Sequence, residues 1–264
     1  MVKCRDVMDV MERIAPKRLA EDWDNPGLLV GSPSDEVRRI LVCLDVHEKI
    51  VARAQEEDFQ MIVAHHPIIF RGLKKLRTDL PDGRLLGALL RAGVAVFAAH
   101  TNLDSAEGGV NDVLAARIGL DMASIAPFGK VDSLSESLGR IGKLPMPMKA
   151  KAFAEQVKNK LGVANVRFVS GGNRLVKKVG LCSGSGAEFI ERAAMLGCDA
   201  YVTGDVRYHD AQRAAALGLH VIDAGHFATE QPVVGILATR LTKELAGEVE
   251  IAADNNSKDY FETV

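Results

Sequence analysis

Two rhythms alternate along this chain. Compact apolar runs such as Ile40-Leu41-Val42-Cys43, Met61-Ile62-Val63-Ala64 and Val94-Ala95-Val96-Phe97-Ala98 are separated by stretches in which apolar residues return every three or four positions. The first rhythm is that of buried strands and the second that of helices with one apolar face. The spacing predicts a strand over 39–45, a helix over 48–59 and a strand over 60–65. A connecting segment and a helix near 82–92 lead to a strand over 94–99, and a Gly-Gly turn opens a helix near 110–118. Residues 121–136 read as irregular, a strand near 138–144 and a helix near 148–161 begin a second set of elements, and His220-Val221-Ile222-Asp223 reads as a later strand. Strands alternating with helices predict the α/β class, with mainly parallel sheets flanked by helices.

The second set repeats the first. Arg38-Arg39-Ile40-Leu41-Val42-Cys43 lines up with Lys177-Lys178-Val179-Gly180-Leu181-Cys182 at an offset of 139 (Ile40 against Val179), and the same offset sets His65-His66 against Gly204-Asp205. His100 and Asp104 match His226 and Glu230 at an offset of 126, as expected if a loop after His66 is absent from the second half. Periodicity alone can make two βαβ units look alike. The matching His-x-x-x-acid pairs favour a true internal duplication, giving two similar α/β domains with a metal cleft expected between them. The expected boundaries are 1–125 plus 232–264 for the first domain and 126–231 for the second.

Composition narrows the function classes. Apolar residues are 47% of 264 and charged residues 26%, an ordinary balance for a chain with proper cores. The 33 basic and 35 acidic side chains leave a formal charge of −2 without a basic block, so charge gives no support to a nucleic-acid partner. Cys4, Cys43, Cys182 and Cys198 form no CxxC pair and read as reduced core residues rather than a thiolate zinc site. The first residues, Met-Val-Lys-Cys-Arg-Asp, contain no apolar targeting segment. No run approaches the roughly 18 apolar residues of a membrane span, so a cytoplasmic protein without a membrane partner is expected.

Candidate chemistry gathers where strands end, the place at which open parallel sheets bind ligands. His65-His66-Pro67 follows one apolar strand, and two adjacent imidazoles there can serve two neighbouring cations or merely hydrogen-bond. His100-Thr101-Asn102-Leu103-Asp104 follows the next, where Asp104 is either a ligand or the cap of a following helix. His226-Phe227-Ala228-Thr229-Glu230 follows a third, and on a helix its ends share one face; Glu230 is either a ligand or a first-turn complement to the helix dipole. Taken together, His65, His66, Asp104, His226 and Glu230 offer nitrogen and oxygen without sulfur, which suits zinc, iron, manganese, cobalt or nickel. Three neutral imidazoles and two carboxylates leave two divalent ions net positive, favouring an anionic substrate and a water nucleophile at neutral pH.

Trp23-Asp24-Asn25-Pro26-Gly27-Leu28-Leu29-Val30-Gly31, His65-His66-Pro67, His100-Thr101-Asn102-Leu103-Asp104, Thr203-Gly204-Asp205 with Tyr208-His209, and Gly225-His226 with Glu230 stand in this order. Over nearly its whole length the chain closely resembles the GTP cyclohydrolase I type 2 homologues, also called NIF-three-like proteins. The resemblance implies a dinuclear centre on His65, His66, Asp104, His226 and Glu230, with Glu230 as the bridge, in a toroidal homohexamer. It implies a metal-dependent hydrolase of a small anionic or nucleotide-like substrate, with GTP cyclohydrolase type 2-like activity as one form. The alternative is a non-catalytic metal-binding or oligomeric interaction protein. Some members carry a large domain inserted in mid-chain, for which 264 residues leave no room. No phosphate loop of the P-loop type is present. His100, Asp205, Tyr208 and His209 are candidates to orient ligands or move protons, or are simply exposed strand-end groups. Trp23 either anchors the N-terminal helix or meets substrate or a neighbouring subunit.

Overall fold

In the computed structural model, which describes residues 1–128, 138–262 and 264, the predicted apolar runs become the centres of two sheets. The chain opens with α1 (Cys4–Ile14) and the short strand β1 (Gly27–Val30). In α1, Val7, Met11 and Ile14 recur one turn apart and are buried, while Asp6 accepts the Lys3 N–H at 2.7 Å to close the first turn. Next come β2 (Arg39–Cys43), α2 (Glu48–Glu56), β3 (Met61–Ala64), α3 (Pro81–Ala92), β4 (Ala95–Ala98) and the single turn α4 (Thr101–Ser105). β2, β3 and β4 run parallel, and β1 lies antiparallel on β4. Every residue of β3 and β4 is buried, the pattern of strands covered on both faces. Pro81 sits at the start of α3 and Gly93, at φ 65°, ends it.

The second half begins with α5 (Val110–Ile118), β5 (Asp121–Pro127) and β6 (Arg140–Met148). It then runs α6 (Ala150–Leu161), β7 (Arg167–Val169), β8 (Val176–Leu181), α7 (Ile190–Met195), β9 (Ala200–Thr203), α8 (Tyr208–Ala216), β10 (His220–Asp223) and α9 (His226–Glu230). α10 (Pro232–Glu244) and β11 (Glu250–Ala253) follow, and β11 pairs parallel with β2. The sheet orders are β1-β4-β3-β2-β11 and β5-β6-β8-β9-β10-β7. The block β1-β4-β3-β2 therefore recurs as β7-β10-β9-β8 with the same strand senses. That recurrence is the duplication seen in the sequence. The parallel cores are as expected, and antiparallel β5, β6 and β7 extend the second sheet.

The described residues form two compact units, Met1–Glu107 with Val234–Ser257, and Gly108–Val233 with Lys258–Val264. The change of unit falls at 107/108, where the sequence pattern puts it at 125/126, because α5 packs on α6, β5 and β6. Residues 121–127, read as irregular, form β5 instead. Its sequence is poor in β-branched residues and its side chains are largely exposed, so edge pairing with β6 makes it a strand. The rest of that expectation, 129–136, lies outside the described residues. All four cysteines are free and buried, and burial pushes the Cys4 and Cys198 thiols up to about 11. No helix among the described residues is long and apolar enough to cross a membrane.

One buried amide ties the second unit together. Asn111 of α5 is fully buried, donates to the Leu138 carbonyl at 2.6 Å and accepts the Ser183 N–H at 2.8 Å. Removing it strands both backbone groups, each worth about 1–3 kcal/mol. Asn111→Ala is therefore expected to lower stability by about 2–4 kcal/mol in urea unfolding, and a loss below about 1 kcal/mol would mean that the two groups find other partners.

Candidate metal centre

In the first unit, the ends of β3 and β4 bring four predicted residues together. His65 is buried; its Nδ1 meets the Ala99 carbonyl at 2.8 Å, and its Nε2 lies 3.6 Å from Asp104 Oδ1. His66 Nδ1 lies 2.8 Å from Asp45 Oδ1. His100 Nδ1 lies 2.8 Å from Asp24 Oδ1. The His65, His66 and His100 rings stand 4.9 to 5.6 Å apart by centroid, and each offers a nitrogen within 4.8 Å of the others'. Asp104 caps no helix: α5 is capped at Gly109, and Asp112 accepts the Gly108 N–H there. The capping alternative is thereby removed.

In the second unit, α9 places His226 and Glu230 one turn apart, with Nε2 3.1 Å from Glu230 Oε2. Glu230 is buried and ends α9 rather than beginning a helix, so it is not a first-turn acid. His226 Nδ1 meets Asp205 Oδ2 at 2.8 Å. Asp205 holds a left-handed backbone at φ 54°, which short polar side chains tolerate better than most. The loop after β8 closes against this pair: the Gly184 N–H donates to Thr229 Oγ1 at 2.9 Å. A Cβ at Gly184 would collide with Glu230 Oε1 and stand 3.1 Å from His226 Nε2. Gly204 is enclosed by the Gly184 and Gly225 backbones in the same way.

These contacts decide how the imidazoles present themselves. Carbonyl and carboxylate oxygens only accept, so in a neutral ring one at Nδ1 places the proton there and leaves Nε2 with its lone pair. His65, His66 and His100 share this arrangement; His226 has the same acceptor at Nδ1, and its Nε2 faces the Glu230 carboxylate, as two ligands of one cation would. It is the one in which histidines bind metals, with the outer acceptor fixing ring and tautomer. The donor sets therefore fit divalent cations, and the chain carries a candidate His–carboxylate metal-binding cluster.

Asp24 is also set apart electrostatically. Burial alone would raise its carboxyl, but hydrogen bonds from His100, Thr101 and the Asn25 N–H outweigh burial and hold it at about 2. The stability it contributes is complete above its ordinary value of 3.8 and is lost as pH falls toward 2.

His209, one of the candidates, is exposed on α8; its contacts run to Gln212 and the Tyr208 ring and do not reach His226 or Glu230. Asp205, another, touches His226 directly, where it can orient a predicted ligand. The sequence pattern assigns no role to Asp45, Asp24 or Gly184. Asp45 follows the end of β2, so the strand-end rule that finds the histidines would find it too. Gly184 is its counterpart at the repeat offset of 139.

Residues 2–259 match the model of the family described as Duf34/NIF3 (NGG1p interacting factor 3). The "GTP cyclohydrolase 1 type 2 homolog" of Clostridium perfringens is 34% identical over 263 residues, covering 100% of both chains. The protein of the same name from Lactococcus lactis is 35% identical over 243 residues, covering 91% of each. Among solved structures, a Bacillus cereus protein related to NIF3 superposes with a TM-score of 0.92 at 26% identity, over 100% of this chain and 99% of that one.

Loss of an outer acceptor frees the ring and the tautomer. Asp45→Ala and Asp205→Ala are each expected to weaken divalent-ion binding about 10–100-fold, read by competition with a chromogenic chelator, with unfolding midpoints little changed. Affinities equal to the parent protein's would show that these carboxylates do not orient ligands.

Proposed function

Because this chain belongs to the Duf34/NIF3 family, we propose that it holds two divalent ions on His65, His66, Asp104, His226 and Glu230 and hydrolyses a small anionic or nucleotide-like substrate. The observation that carries the reading is the common state of the imidazoles, each held at Nδ1 by an acceptor with Nε2 presented. Such ions supply Lewis acidity and lower the pKa of water toward neutrality.

The side chains do the rest. Asp45, Asp205 and the Ala99 carbonyl orient three rings, and Asp104 and Glu230 are the two carboxylates among the five ligands. An anionic group of the substrate would be drawn to the ions directly, through their open coordination positions. Burial of Asp104 and Glu230 keeps bulk water from competing for their oxygens. Glu230, with two carboxylate oxygens, would be the residue shared between the ions. The donor set suits zinc, iron, manganese, cobalt or nickel. The name carried by the clostridial and lactococcal relatives makes GTP ring hydrolysis the first reaction to test. The reading also includes a cytoplasmic homohexameric toroid.

The family description, which names an interacting factor rather than a reaction, favours a second reading: a metal-binding scaffold without turnover. The two part on substitution of the carboxylates. Glu230→Gln and Asp104→Asn are expected to drop bound metal well below two ions per chain by elemental analysis and to abolish metal-dependent hydrolysis of GTP or a related anion. A fully loaded parent protein that turns over no nucleotide or phosphoester would leave only the scaffold reading. In light scattering, the assembly is expected near six times the 28.4 kDa chain mass.

A further inference from the structure

Trp23 is the chain's single tryptophan and is 57% exposed. Its ring contacts are with Phe70 and His100. It does not sit on a loose turn. Asn25 Nδ2 donates to the Ile69 carbonyl at 2.6 Å, and Thr101 donates through its N–H to Asp24 Oδ2 at 3.0 Å. These bonds tie the turn that carries Trp23 to the segment following His66 and to the start of α4. The tie sets Phe70, itself 43% exposed, 5.7 Å from Trp23 and tilted by 55°. Both rings meet His100 edge-on with centroids 6.1 Å away, and His100 is 5.3 and 5.6 Å from His65 and His66. Aromatic rings thus lead without a break from solvent to the imidazoles read as ligands.

Two large apolar rings held open to water beside a polar centre call for an occupant. Its character follows from the rings. Tilted aromatic faces take planar π-systems by offset stacking or edge contact. The segment just beyond Phe70 adds positive charge: Arg71, Lys74 and Lys75 are exposed and make no ion pair among the described residues.

We propose that Trp23 and Phe70 form the stacking subsite for a planar heteroaromatic ring of an anionic substrate, and so select a nucleotide-like molecule over a sugar phosphate. The proposal rests on the reading of His65 and His66 as metal ligands, since they place the reacting part of the substrate beside this subsite. It assigns Trp23 and Phe70 to specificity and leaves bond breaking to the metal centre.

The lone tryptophan reports on the subsite directly. With zinc-loaded full-length protein, GMP and AMP are expected to quench Trp23 emission saturably, whereas ribose 5-phosphate leaves it unchanged. Phe70→Ala is expected to weaken GMP binding about tenfold while binding zinc like the parent protein. By calorimetry Trp23→Phe retains GMP binding and Trp23→Ala loses it. An equal response to ribose 5-phosphate, no quenching by either purine nucleotide, or unchanged affinity in Phe70→Ala would each overturn the proposal. Emission that follows protein concentration rather than ligand would overturn it too, by assigning the rings to a subunit contact. Failure of the ligand reading is separate: the protein would then not bind zinc, whatever the nucleotides do.

Discussion

A neutral imidazole has one proton for two nitrogens, so whatever touches the first decides what the second can do. In this protein's candidate ligands the first nitrogen is always Nδ1, and its partner is always an oxygen that can only accept. The backbone carbonyl at residue 99 and the carboxylates of Asp45, Asp24 and Asp205 come from different segments of the chain. Each fixes the ring's orientation and turns Nε2 outward before any cation arrives, which lowers the cost of organising the ligands on binding. The strand order matters for function because it brings those acceptors to the rings. His65 reaches across from β3 to the residue that follows β4, and His66 reaches back toward the end of β2, so both depend on the parallel β2-β3-β4 register.

The duplication explains why one plan yields two unlike groups of side chains. Each unit carries a strand-end segment after its middle strand and a one-turn helix after its outer strand. In the first unit the middle position is His65-His66; in the second it is Gly204-Asp205. The second unit has supporting groups there in place of imidazoles. Gly204 lets three backbone segments close together, and Asp205 holds His226. The first unit meets the same need for His100 from outside the repeat, through Asp24 before β1. Asp45 and Gly184 diverge similarly. A carboxylate supports His66 at one, and at the other any side chain would strike Glu230.

Much of this is legible in the order of residues. Strands β3 and β4 are short apolar runs buried along their whole length, and β2 is buried after Arg39, so periodicity and burial point the same way. Helix α5 is bounded by its glycines. The metal candidates are legible because a parallel sheet gathers its strand ends, a rule that needs no coordinates. What stays hidden depends on partners distant in sequence. β5 has little local preference for a strand and owes its form to β6, while the unit boundary is set by the packing of α5. Asp24 looks like part of a turn, and its tie to His100 spans most of the first unit. Gly184 carries no signal of its own until the carboxylate of Glu230 is placed beside it.

The clearest departure from the repeat is the stretch between His66 and α3. In the second unit α8 starts just after Asp205, but in the first the chain runs on from His66 to Pro81 before a helix begins. A connection can lengthen at small entropic cost, so its persistence needs no stabilising role. Its content is more telling. The stretch carries Phe70 to Trp23, is tied by Asn25 to the turn before β1, and holds three cations that make no ion pair among the described residues. The half of the duplication that has paired imidazoles is therefore also the half that has exposed aromatic rings and positive charge. Two halves built on one plan thus differ in what their strand ends carry: in the second, a buried carboxylate and a histidine held by Asp205, and in the first, paired imidazoles beside an exposed pair of aromatic rings.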